Sequence, residues 1–269
     1  MARILAVTNQ KGGVGKTTTA VNLSACLALL GERVLMIDLD PQGNATTGCG
    51  VVKREALPTV YQILIGSSTL AEARIQTEFG FDILPANREL AGAEVELIDI
   101  AGREFRLRDA LAPVLEDYDF ILMDCPPALN MLTVNGLVAA QAVMIPMQCE
   151  YYALEGLTDL VATLKLVRAN LNPRLEIEGL LRTLYDPRST LTQQVSGELV
   201  EHFGSKVYTS IIPRNVRLAE APSYGKPVIA FDKQSRGAQA YMALAQEIIG
   251  RRDGATPRVV PQEEQGVRA

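Results

Sequence analysis

The chain has 269 residues, a formal net charge of −5 and 48% hydrophobic residues, enough apolar material for the core of one α/β domain. An acidic balance argues against a globally basic nucleic-acid binder, and no apolar run approaches the roughly 20 residues that span a bilayer. The four cysteines, Cys26, Cys49, Cys125 and Cys149, show no C-x-x-C spacing, so neither a zinc site nor a redox motif is indicated, and lone thiols fit a reducing cytosol.

In chain order, the apolar run Ile4-Leu5-Ala6-Val7 predicts a strand, and residues 19–30 have helical spacing. Between them lies KGGVGKTT, Lys11 to Thr18. Strand, glycine loop and helix is the context of a phosphate-binding loop. The usual pattern is G-x-x-x-x-G-K-S/T; here Gln10 fills the first glycine slot and a second lysine, Lys11, opens the loop. Gly12, Gly13 and Gly15 would let backbone N–H groups, including that of Val14, approach phosphate oxygens. The helix start near Lys16 directs its positive end at an anion. Lys16 would reach the β- and γ-phosphates, the Thr17 hydroxyl would join a Mg²⁺ shell, and Thr18 would add a donor near the α-phosphate.

Residues 33–38 read as a buried parallel strand that ends in Asp38 and Asp40, within DLDPQGNAT. Carboxylates at the C-terminal end of a strand beside the glycine loop lie where α/β sheets bind ligands. Residues 48–58 read as loop, 59–65 as a short helix and 81–86 as a short strand. Asn87 can cap a helix running through Leu90 and Val95, and 103–115 carries leucines at helical spacing. Residues 120–123 are an apolar strand closed by Asp124 and then broken by Pro126-Pro127. An apolar strand ending in Asp, downstream of a phosphate loop, resembles a Walker B segment with Asp124 near the metal.

Further on, 142–147 predicts a strand, 154–171 a helix, 175–184 a strand, 190–203 a helix and 207–213 an edge strand. Residues 227–230 read as extended, and Ser235 caps a closing helix through Ile249. Residues 251–269 mix proline, glycine and charge and read as a disordered tail after a single domain over 1–250. Strands alternate with helices, which predicts an α/β fold: a mainly parallel twisted sheet with helices on both faces. From Lys165 to Arg236 there are 11 basic and 7 acidic residues, a local excess of +4 on an acidic chain. Such a sector is either an electrostatic footprint or a set of solvated helix faces.

The combination of KGGVGKTT, DLDPQGNAT, the DCPP run at 124–127, YDPR at 185–188 and IPRNVRLAEAPSYGKP at 212–227 resembles the ParA/Soj family of chromosome- and plasmid-partition ATPases. These belong to the deviant Walker A, or MinD/ParA, branch of P-loop proteins, and the resemblance covers about residues 2–250. It implies ATP and Mg²⁺ as ligands, with Lys11 reaching the partner protomer's nucleotide in an ATP-dependent homodimer. It also implies phosphate and metal contacts for Lys16 and Thr17, a hydrolytic switch role for Asp40, a place near the metal for Asp38 and Asp124, and adenine framing by Pro213 and Asn215. Arg188 and Arg217 match positions used for sequence-independent binding of double-stranded DNA. From the residues alone, Arg188 could cap a turn and Arg217 could pair with Glu220. Lys206, Arg214, Lys226, Lys233 and Arg236 are further basic candidates. The implied partners are the nucleoid and a ParB-type centromere-binding protein, with a cytoplasmic, nucleoid-associated location.

Three rivals stand beside this reading. A MinD-like membrane ATPase would need a C-terminal amphipathic helix, against which the glycine and prolines of 254–261 argue. A nitrogenase-iron-protein-like reductase would use Cys125 at a cluster. A P-loop synthetase would transfer phosphate to a metabolite. With the first strand at the start of the chain, an operator-binding helix-turn-helix is not expected.

Overall fold

The computed structural model describes residues 2–254. Eight strands form one sheet in the order β3-β4-β2-β5-β1-β6-β7-β8. They are β1 (Arg3–Val7), β2 (Val34–Asp38), β3 (Ile75–Gln76), β4 (Asp82–Leu84), β5 (Phe120–Asp124), β6 (Ala142–Gln148), β7 (Glu176–Tyr185) and β8 (Val207–Pro213). All neighbours pair in parallel except β3, which runs antiparallel to β4 at the edge. The expected fold class is the one observed.

The central strands are buried on both faces, and alternation divides their side chains between two cores. Ile4, Ala6, Leu35 and Ile37 face one core; Leu5, Val7, Val34 and Met36 face the other. The first core is covered by α3 (Val60–Ile65), α5 (Leu90–Glu96), α6 (Arg106–Leu111), α7 (Met131–Ala139), α8 (Ala153–Asn170) and α9 (Thr190–Phe203). The second is covered by α1 (Lys16–Leu29), α10 (Val216–Glu220), α11 (Val228–Phe231) and α12 (Arg236–Arg252). The short α2 (Asn44–Gly48) and α4 (Leu70–Ala73) complete the helices among the described residues.

Local chemistry sets several boundaries. The Thr59 side chain accepts from Tyr61 N at the start of α3, Ser189 from Thr192 N at α9, and Ser235 from Ala238 N at α12. The leucine-patterned stretch at 103–115 is not one helix: 3₁₀ turns at Arg103–Phe105 and Ala112–Val114 flank α6, the second holding Pro113. Residues 227–230, expected to be extended, form α11 instead. Asn22 Oδ1 accepts the Val228 N–H at 2.6 Å, so a distant side chain satisfies the first donor of that turn. Helices α2 and α7 were not anticipated; α7 begins at Asn130, whose side chain accepts from Thr133 N. The last helix runs through Arg252, and the tail expected at 251–269 lies, from residue 255 on, outside the described residues.

Strand register places the candidate site. Val7, Asp124 and Asp38 occupy matching positions on the neighbouring strands β1, β5 and β2. The glycine loop therefore leaves β1 level with two buried carboxylates, at the C-terminal edge of the sheet.

Candidate functional site

The loop at residues 8–15 is held from beneath by buried polar contacts. Asn9 Nδ2 donates to the Pro146 carbonyl at 2.8 Å, and Asn9 Oδ1 accepts the Lys11 N–H at 2.9 Å. Thr183 Oγ1, on β7, donates to the Val14 carbonyl at 2.7 Å. Sequence reading missed Thr183, because nothing local distinguishes a threonine inside a strand from one beneath a loop. Gly13 and Gly15 adopt φ of 74° and 86°, the left-handed region that favours glycine. A Cβ built on Gly12 or Gly13 would meet nothing within 4 Å, so the loop rims open space. Gly15 caps α1 without a side-chain acceptor, which leaves the helix's first N–H groups facing that space.

Lys16 is 7% exposed, and its Nζ donates to the Lys11 carbonyl at 3.0 Å, folded back over the loop. Burial lowers its pKa, opposed by the charges of Asp124, Cys125 and Asp40. Lys11 points outward, and its Nζ lies 2.7 Å from Glu150 Oε2.

The two carboxylates differ sharply. Asp38 is fully enclosed and well partnered: Oδ2 accepts from Thr46 N at 2.8 Å and Thr46 Oγ1 at 2.7 Å, while Oδ1 accepts from Asp40 N at 3.1 Å. Burial outweighs these bonds and raises its pKa to about 6. Asp124 is equally buried, yet both its oxygens lack a hydrogen-bond partner among the described residues. The Thr17 hydroxyl is close enough to favour the charged form somewhat, without ordinary hydrogen-bond geometry. Burial first, and then the Asp38 charge, push the Asp124 pKa well above the usual carboxylate range. An orphaned buried carboxylate beside a lysine and a threonine hydroxyl is a fit for a hard cation that shares its shell with phosphate oxygens. Among the described residues no group of three or more His, Cys, Asp and Glu is arranged to hold a metal without such help. The expectation for Asp38 narrows accordingly, because its oxygens anchor the following segment.

That segment carries Asp40, whose Oδ1 accepts the Gln42 N–H at 2.9 Å and whose carbonyl accepts the Gly43 N–H at 2.8 Å. Gly43 has φ of 61°, and a Cβ there would sit 2.6 Å from the Ala86 carbonyl oxygen. The turn is thus fixed against the loop that follows β4.

The remaining predicted residues lie at the far edge of the sheet. Pro213 ends β8, and Asn215 caps α10 by accepting the Arg217 N–H at 3.0 Å. The Arg214 N–H donates to the Tyr185 carbonyl, joining the loops after β7 and β8. Arg188 is on the first of these loops, its side chain 88% exposed and doubly bonded to Asp186. Arg188 depresses the Asp186 pKa to about 2. Arg217 pairs with Glu220 at 2.8 Å and Asp232 at 3.2 Å. Both arginines are therefore exposed but already partnered, as the alternatives drawn from the residues anticipated. Cys125 is buried, and burial raises its thiol pKa. No helix among the described residues is long and apolar enough to cross a membrane.

Residues 2–177 match a family model described as an AAA domain. The chain is 53% identical over 252 residues to the chromosome partitioning protein ParA of Caulobacter vibrioides, covering 93% of this chain and 94% of that protein. It is likewise 53% identical over 249 residues to the sporulation initiation inhibitor protein Soj of Bacillus subtilis, covering 92% and 98%. The chain belongs to the ParA/Soj family. Among solved structures, a cobyrinic acid a,c-diamide synthase of Mycobacterium smegmatis with a bound ATP analogue and magnesium is similar in fold. It shares 38% identity at a TM-score of 0.84, covering 95% of this chain and 98% of that one.

Proposed function

We propose that this chain is an ATP-dependent, dimerising ATPase that binds duplex DNA without sequence preference and partitions a chromosome or plasmid with a ParB-type partner. The observation that carries the nucleotide part is the Asp124 carboxylate, buried and unpartnered beside Lys16 and Thr17 at the mouth of the glycine loop. Mg²⁺ would be held by Thr17 and Asp124 together with nucleotide oxygens, and would neutralise phosphate charge there. The backbone N–H groups of residues 12–18 would cradle the phosphates. Lys16, folded over the loop in this structure, would swing from the Lys11 carbonyl to the β- and γ-oxygens.

Hydrolysis converts ATP and water to ADP and phosphate. Asp40 would orient the attacking water, and Lys11 of one protomer would offset charge on its partner's γ-phosphate. Pro213 and Asn215 would frame the adenine. Two protomers that share ATP would bring two basic edges together. Counterion release grows with the number of phosphates neutralised, so DNA affinity would rise steeply on dimerisation and fall once the γ-phosphate is gone. Such a protein would be cytoplasmic and would ride on the nucleoid.

The relatives at 53% identity support partition over the synthetase reading, whose representative stands at 38% across a similar span. The decisive measurement is affinity for a random-sequence duplex with ADP and with a non-hydrolysed ATP analogue. Strong, salt-sensitive binding with the analogue alone is expected. Equal binding in both states would remove the switch.

A further inference from the structure

The geometry points to a second DNA-contacting element, built on the segment that follows Asp40 rather than on the edge bearing Arg188 and Arg217. This inference rests on the DNA-binding reading above and names a further part of that surface: Arg54, which lines a cleft, and Lys226, the residue next to the cleft-lining Gly225, which together engage the phosphates of duplex DNA.

The cleft has a volume of about 380 Å³ and lies between residues 47–54 and the turn at Tyr224 and Gly225. Its base is a backbone contact available only to glycine. Gly50 and Gly225 have φ of +80° and +63°; a Cβ on Gly50 would sit 3.0 Å from the Gly225 carbonyl oxygen, and one on Gly225 would sit 3.1 Å from Gly50 Cα. The two segments are thus pressed together at main-chain distance. Tyr224 is exposed above the contact and stacks on Phe231 with ring centroids 4.9 Å apart.

Charge selects the occupant. Arg54 and Lys226 are exposed, and neither is in an ion pair among the described residues, in contrast to Arg188 and Arg217. Glu55 pairs with neither of them, and Glu220 is engaged by Arg217. Lys53, on the cleft wall, donates to the Gln42 carbonyl at 2.7 Å. An unpaired cation in the cleft wall and a second one residue beyond the opposite wall fit an extended polyanion, which neutralises both at once.

The placement also explains why the contact would depend on nucleotide. Helix α2 begins at Asn44, just beyond the turn at Asp40, Thr46 within it is held by Asp38, and Lys53 is tied to the Gln42 carbonyl. A shift of the Asp40 segment would be passed through these bonds to the residues that line the cleft.

The test compares Arg54→Ala/Lys226→Ala with a matched loss of charge elsewhere, Lys165→Ala/Arg174→Ala, both residues being exposed and unpaired among the described residues. Binding of a random-sequence duplex is followed by fluorescence anisotropy against salt concentration, with a non-hydrolysed ATP analogue; light scattering confirms that each variant still dimerises. The Arg54/Lys226 pair should weaken binding about tenfold to a hundredfold near 0.1 M salt. It should also lower the log–log salt slope by about 2 per protomer. The control pair should leave both nearly unchanged, and the single Lys226→Gln should give about half the slope change. An unchanged slope in the Arg54/Lys226 variant, or equal losses in both pairs, overturns the assignment. Unchanged DNA binding with lost stimulation by a ParB-type protein would give the cleft to a protein partner and overturn it as well. Wild-type protein that binds no DNA with the analogue would instead overturn the proposed function, so the two failures are distinct.

Discussion

The Lys11 ammonium donates to the Glu150 carboxylate at 2.7 Å, within one protomer, with both side chains a little under half exposed. Neighbouring strands create the pair, since Lys11 follows β1 and Glu150 follows β6. A lysine meant to reach across a dimer interface must first leave this partner. An ion pair this exposed contributes roughly 0–1 kcal/mol, so Glu150→Gln should leave the melting temperature nearly unchanged. It should lower the ATP-analogue concentration needed for half-maximal dimerisation by up to about fivefold, the equivalent of 1 kcal/mol. Light scattering across a nucleotide titration reads this directly. A variant that needs more nucleotide would show that Glu150 supports the dimer instead of restraining Lys11.

Asp40→Ala should preserve ATP binding and halt turnover. Asp40 shapes its own turn through the Gln42 N–H and leaves the Asp38–Thr46 anchor intact, so the nucleotide cradle should survive its loss. The expected result is a long-lived ATP dimer on DNA, with phosphate release reduced by at least about tenfold. A variant that stays monomeric with ATP would take the switch role away from Asp40.

Arg188→Glu combined with Arg217→Glu should abolish DNA binding at moderate salt while sparing nucleotide-dependent dimerisation. In this structure each arginine is neutralised by nearby carboxylates, Asp186 for one and Glu220 with Asp232 for the other. Exposed pairs of this kind exchange partners at little cost, so DNA phosphates can displace the carboxylates. Anisotropy titrations with the ATP analogue measure the effect, and retained affinity would move the surface away from this edge.

Asp124→Asn separates stability from function. The buried pair Asp38 and Asp124 holds protons more tightly than the unfolded chain does. Stability contributed by that protonation is full below the unfolded carboxylate pKa of about 4 and is lost as pH rises through the folded values, about 6 for Asp38. The apo wild type should therefore lose stability between about pH 4 and 7, apart from other groups. Asp124→Asn should flatten that decline and raise apo stability at pH 7 by roughly 1–3 kcal/mol, since the buried group no longer has to hold a proton or carry an uncompensated charge. The same variant should lose Mg²⁺-dependent nucleotide affinity. Thermal melts against pH, with and without Mg²⁺–ATP analogue, test both halves. An apo variant less stable than wild type at pH 7 would show that the carboxylate is compensated after all.

Short-range chemistry made much of this legible in advance. Apolar runs that end in Asp38 and Asp124 announced buried parallel strands, because β-branched and aliphatic residues bounded by turn-formers leave few other solutions. Ser235 marked a helix start, because its side chain accepts a local N–H group. Arg103–Leu115 failed as one helix because Pro113 and Gly102 cut it into turns, although its leucine spacing suits a helix. Residues 227–230 failed for the opposite reason: the helical turn depends on Asn22, some two hundred positions away.

The sequence by itself determined the fold class, the glycine loop, the family and the inventory of charged residues at the site, since each rests on residue type at fixed local spacing. Tertiary structure alone decided which of those charges are free. Asp38 and Asp124 end neighbouring strands in one register, yet Thr46 reaches only Asp38 and leaves Asp124 open. Lys11 is taken by Glu150, Arg217 by Glu220 and Asp232, while Arg54 and Lys226 lie on two segments that touch at Gly50 and Gly225 and are in no ion pair among the described residues. Partnering depends on which side chains packing brings within a few ångströms, and linear spacing does not encode that distance.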